Sequence, residues 1–154
     1  MKLVLYIVCF FVLSVATHCP FAFGQSPQPI CTTTSRPDCR DAVAFFDKFQ
    51  KALKVDNRGV VVSMVRFPLR VQLGGQKALI KSKSQLLREY DKVFDAPVRC
   101  AITKAKRTDV WGNWQGYTVA SGAAWWEAGA NPNSLFKLIT VNNGSFYEGC
   151  SDRK

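Results

Sequence analysis

Asp109 and Glu127 lie on either side of the densest aromatic stretch of the chain. By residue type they could serve as a general base, with Tyr90 or Tyr117 as the acid partner. Histidine offers no alternative, because the one histidine, His18, falls in an apolar leader. Ser-His and Cys-His catalysis and His-ligated metal are therefore excluded from the body of the chain. Four cysteines of the body, Cys31, Cys39, Cys100 and Cys150, contain no Cys-x-x-Cys pair, so they read as two disulfides of open connectivity. Metal and cofactor are not expected.

The elements that must position these groups centre on residues 110–126, VWGNWQGYTVASGAAWW, which hold all four tryptophans. Aromatic and β-branched residues broken by glycine predict strands of a bent antiparallel sheet. The expected strands run over 109–119 and 123–128, with a turn at Ser121-Gly122 and a last strand over 135–141. On an uninterrupted first strand, Asp109, Trp111, Asn113, Gln115 and Tyr117 would share a face. Trp111, Trp114 and Trp125 are the aromatic candidates for ligand binding, and Arg70 is the cationic one. Arg66 and Arg70 flank Phe67-Pro68, where they could hold an anion. The simpler reading of Asp109 and Glu127 is solvated strand charge.

Ahead of the sheet, Cys39, Ala42, Phe46, Phe49 and Leu53 recur at helical spacing, with Val43 and Phe45 widening the stripe. This predicts a long first helix ending near Lys54, opened by a capping box at Ser35-Arg36-Pro37-Asp38. A short helix is expected over 60–65. A hairpin should follow, with strands over 67–73 and 77–81 joined by Gly74-Gly75. Ser82-Lys83-Ser84-Gln85 is a second capping box, opening one helix with Leu86, Leu87, Tyr90, Val93 and Phe94 inward and stopped by Pro97. Residues 98–105 predict another short helix, and residues 129–134 a loop.

Residues 1–24 read as a secretory signal: Lys2, then an apolar run from Leu3, then Pro20 and small residues at Ala22 and Gly24. A competing cut follows Ala16, but only the later one leaves an even number of cysteines. Residues 25–34 form an extended leader, 35–150 a single domain, and 151–154 a polar tail. Thr17, His18 and Pro20 interrupt the apolar run, so no membrane span is expected after cleavage. The expected compartment is periplasmic or extracellular. The formal charge of +10 falls to about +9 without Lys2. Its bases are dispersed, which gives a soluble cationic surface that could attract an anionic envelope component. No basic run is interleaved with aromatics, so nucleic acid is not an expected partner.

Helices and strands that segregate in this order predict an α+β domain, with a curved antiparallel sheet wrapped around the long N-terminal helix. The chain here resembles the nuclear-transport-factor-two-like (cystatin-like cone, SnoaL-like) superfamily, above all its small exported bacterial members. The resemblance rests on residues 45–53 (FFDKFQKAL), 64–71 (MVRFPLRV), 86–94 (LLREYDKVF) and Asn113-Trp114-Gln115-Gly116 through Gly122 to Trp126, and spans roughly residues 38–143. It implies a cone whose mouth holds an apolar pocket. Some members of that superfamily are isomerases, dehydratases or epoxide hydrolases, and many only bind a ligand or a partner. The expected function is therefore a non-catalytic binding or interaction module for a protein or small apolar ligand. The alternative is a cone-pocket isomerase or lyase using a carboxylate base and a tyrosine acid.

Overall fold

The computed structural model describes residues 38–73, 75–129, 135–143 and 147–150. The signal, the leader, Cys31, Ser35 and Gly74, most of the 129–134 loop and the 151–154 tail lie outside these. Among the described residues, five α-helices and six strands make an α+β domain. Among the described residues no helix is long and apolar enough to cross a membrane.

Helix α1 (Cys39–Lys54) forms where the 3.6-residue stripe predicts it. Its buried face carries Ala42, Val43, Phe45, Phe46, Phe49 and Leu53. Asp38 occupies the N-cap, but its carboxylate caps no helix amide. Helix α2 (Arg58–Ser63) is capped by Asn57, whose side chain accepts from the Val60 N–H. The hairpin of β1 (Val65–Leu73) and β2 (Gln76–Ile80) follows as expected.

The single helix expected over 82–96 is instead two. Helix α3 (Lys83–Arg88) breaks at Glu89, and α4 (Tyr90–Val93) adds one turn. Leu87, expected inward, is 47% exposed, because it stands about 100° around α3 from the buried Leu86. Ser82 caps α3 through the Gln85 N–H, but Gln85 reaches back to the Lys81 N–H, one residue earlier than a capping box would have it. Pro97 does not so much stop one helix as start the next. It sits in the first turn of α5 (Ala96–Lys104), where a missing N–H costs nothing, and Asp95 caps that helix at Val98. The far end of α5 is satisfied from α1: the Gln50 side-chain amide donates to the carbonyls of Ile102 (2.9 Å) and Ala105 (2.8 Å).

The strand expected over 109–119 is a hairpin. A 3-10 turn over Arg107–Asp109 leads into β3 (Trp111–Asn113), and β4 (Gly116–Val119) returns after Trp114 and Gln115. Asn113 stabilises this turn by accepting the Gln115 N–H at 2.8 Å. Gly116, at φ +134°, has no room for a Cβ, which would stand 2.5 Å from the Trp126 carbonyl oxygen. Strands β5 (Ala124–Glu127) and β6 (Lys137–Asn142) complete the sheet in the order β2-β1-β6-β5-β4-β3.

The sheet is mixed, not antiparallel, because β1 and β6 run parallel. Only a long crossover permits such a pair, and here residues 74–136, with four strands and three helices, lie between the two. Register shifts interrupt both β1–β6 and β5–β6 beside Leu138, and irregularities of this kind bend strands.

Leu69, Val71, Ile80, Tyr117, Val119, Ala124, Trp126, Leu138 and Val141 line one face of the sheet and are buried with the helices. The rings of Phe45 and Phe46 stack on Trp126 at 5.7 and 6.0 Å. Phe49 meets Phe94 at 6.1 Å. Cys100 and Cys150 form a disulfide that ties the C-terminal tail to α5, and Cys39 is disulfide-bonded as well. Phe46→Ala and Phe49→Ala should each cost ~3–5 kcal/mol in chemical denaturation, the range for emptying a large aromatic site. Losses under about 1 kcal/mol would mean that α1 does not organise the core.

Candidate functional site

Period-two alternation sends the partners of the buried residues to the opposite side of the sheet. Register then lines up one residue from every strand: Leu79, Arg70, Thr140, Trp125, Thr118 and Trp111. This row crosses a face left open to solvent. Leu79 is 49% and Trp111 46% exposed, and Arg70 is exposed too. Thr118 is covered by its two indole neighbours and donates its hydroxyl to the Ala124 carbonyl at 2.8 Å.

At one end of the row, Trp111 and Trp125 meet edge to face, with centroids 6.5 Å apart and planes at 88°. With Asp109, Thr118, Val119, Ser121 and Gly122 they line a groove of about 310 Å³. Its floor is the turn at Ala120, Ser121 and Gly122, whose φ values of 52°, 54° and 91° are all left-handed. At the other end a groove of about 580 Å³ runs over β2, β1 and β6, lined by Arg70, Val71, Gln72, Lys77, Ala78, Leu79, Lys81, Thr140 and Asn142. Among the described residues, Arg70, Lys77 and Lys81 enter no ion pair.

Three of the four expected binding residues, Trp111, Trp125 and Arg70, are thus brought onto one face. The fourth, Trp114, is 86% exposed at the tip of the β3–β4 turn and stands off the row. Lys77, Lys81, Thr118 and Thr140 join the site unforeseen. Alternation through the hairpin would have found both lysines, whereas the threonines needed the register.

The catalytic candidates do not converge. Trp111 and Tyr117 cannot share a face, because the chain reverses between them: Trp111 is half exposed and Tyr117 fully buried. Asp109 is exposed and accepts the Lys106 N–H at 2.8 Å, closing its own turn. Glu127 is ion-paired with Arg66, which is thereby withdrawn from anion binding. Tyr117 donates its hydroxyl to Asp38 at 2.6 Å, a phenol–carboxylate pair that only tertiary structure reveals. Neither groove is lined by either residue.

Tyr90 is enclosed in a charge network. Arg58 makes a two-point bond with Asp91 at 2.9 and 3.0 Å, and Arg99 bonds Asp91 at 2.7 Å and Asp56 at 3.0 Å. Both guanidinium groups lie over the Tyr90 ring, 4.7 and 5.2 Å from its centroid. The Tyr90 hydroxyl is buried without a hydrogen-bond partner. Burial pushes its pKa up to about 12, with Arg99 pulling the other way. Among the described residues no group of three or more His, Cys, Asp or Glu side chains could hold a metal ion.

Removing the orphaned hydroxyl in Tyr90→Phe should leave stability at neutral pH unchanged or raise it by ~1 kcal/mol. The unfolded phenol ionises near 10.0, whereas the folded one holds its proton to about 12. Stability therefore falls as pH rises through that window, and the fall should be shallower in Tyr90→Phe. Denaturation across alkaline pH measures both. The chain matches no family model, no curated protein and no solved structure.

Proposed function

We propose that this chain is an exported, non-catalytic binding module of the nuclear-transport-factor-two-like superfamily, and that it holds its ligand or partner on the open sheet face. One observation carries the reading. Trp111, Trp125 and Arg70, drawn from three separate strands, fall in a single cross-strand row, while of the candidate bases and acids only Asp109 lines a groove, and Glu127, Tyr90 and Tyr117 line neither. Trp111 is 46% exposed with Trp125 partly buried beside it, and among the described residues Arg70, Lys77 and Lys81 enter no ion pair, so the face offers apolar contact and positive charge to a partner. Packing of the long first helix against one side of a bent sheet supports the cone-like reading. A disulfide between Cys100 and Cys150 supports an oxidising compartment.

The enzyme alternative has one observation in its favour, the Tyr117–Asp38 pair. A phenol bonded to a carboxylate inside an apolar shell is the kind of couple an isomerase or lyase uses. Asp38→Asn would abolish turnover on that reading and leave ligand capture intact on the one proposed.

The two readings separate in one experiment. The mature protein, beginning near Gln25, is used as bait for envelope extract, and bound proteins and small molecules are identified by mass spectrometry. Trp111→Ala with Trp125→Ala should abolish capture. Glu127→Gln should leave capture and folding nearly unchanged, since Glu127 lines neither groove, its pair with Arg66 is part exposed, and such pairs contribute under about 1 kcal/mol. Capture that survives loss of both tryptophans, or a turnover lost on changing a carboxylate in a folded variant, would overturn the binding reading.

A further inference from the structure

We propose that the open sheet face binds an acidic polysaccharide, with sugar rings against Trp111 and Trp125 and carboxylates at Arg70, Lys77 and Lys81. This rests on the binding-module reading and adds the chemistry of the ligand. The face has two unlike ends. Its β3–β5 end offers indole surface, and its β1–β2 end offers three exposed cations without an ion pair among the described residues. Thr140 of the larger groove and Trp125 of the smaller are register partners, so the two grooves adjoin.

Two strand spacings separate Trp125 from Arg70, ~10 Å, and one more reaches Lys77. A chain with apolar ring faces and anionic groups along it spans that distance and meets both ends. A chain of uronic acid residues has both: each ring turns C–H bonds to an indole, and each carboxylate suits a guanidinium or ammonium. Asp109 lines the groove at the tryptophan end, so the ring seated on the indoles must turn its own carboxylate outward.

Two other occupants fit less well. A second copy docked face to face would set three cations against one carboxylate on each side, because an isologous contact pairs a patch with itself. Single-stranded nucleic acid stacks successive bases on aromatic platforms, but these two indoles stand at 88°, one face and one edge.

The mature protein would be titrated with alginate oligosaccharides, with neutral dextran oligosaccharides alongside, following tryptophan fluorescence and heat. Alginate should bind, weakening as salt rises, and dextran should not. Arg70→Gln with Lys77→Gln, and separately Trp125→Ala, should each weaken binding roughly tenfold or more. Trp125→Phe should restore part of it, and circular dichroism confirms that each variant is folded. Alginate that fails to bind at low salt, or binds equally to Arg70→Gln/Lys77→Gln, overturns the proposal. So does a single-stranded oligonucleotide that binds more tightly, or a dimer in sedimentation that Trp125→Ala dissociates while alginate stays unbound. If alginate fails but envelope capture still needs Trp111 and Trp125, the ligand class falls and the module reading stands. If neither depends on the face, both fall.

Discussion

Trp126 fastens the first helix to the sheet in two ways at once. Its ring is stacked between Phe45 and Phe46 of α1 and Tyr117 of β4, and its indole N–H donates to the Ala42 carbonyl at 3.1 Å. A buried tryptophan must satisfy that donor or lose the full cost of desolvating it. The bond therefore fixes where along α1 the strand sits, which apolar contact alone would leave loose. Trp125, its neighbour, is turned to the other side by alternation. The open sheet face is thus set by the residue next to the one that closes the core.

The helices are held to one another by a different device. Asp56 follows α1, Arg58 opens α2, Asp91 lies on α4 and Arg99 on α5, so one network of charge joins four elements around Tyr90. It is net neutral and largely exposed, which keeps each pair modest in energy. Its worth lies in geometry, since α3 and α4 are too short to hold a direction by themselves. The excess positive charge is left elsewhere, on the open sheet face among other places.

Much of the fold is legible in local pattern, and the rest fails for identifiable reasons. The stripe from Cys39 to Leu53, the Ser82 cap and the Gly75 turn act within a few residues, and each predicts its element. The break at Glu89 is not visible, because Leu86, Tyr90, Val93 and Phe94 keep a helical spacing across it. The β3–β4 hairpin had a signal in Asn113 and Gly116 bracketing two residues, but a continuous aromatic run masked it. Parallel pairing of β1 with β6 has no local signature at all. The candidate site was legible by residue type and not by arrangement: Trp111, Trp125 and Arg70 could be named, whereas their common row depends on four strand registers. Asp38 and Tyr117 are 79 residues apart, beyond any reading of spacing.

The parallel pair also sets an order of events. Strand β6 lies third in the sheet yet is the last strand made. Until it emerges from the ribosome, β2-β1 and β5-β4-β3 are two half-sheets with raw edges and nothing to join them. The disulfide must wait longer still, because Cys150 follows β6. Such a domain cannot fold progressively from its amino end, as many do. Its sheet stays open until β6 is present and then closes in one step. A chain in that condition can be threaded through a narrow channel without first being unfolded.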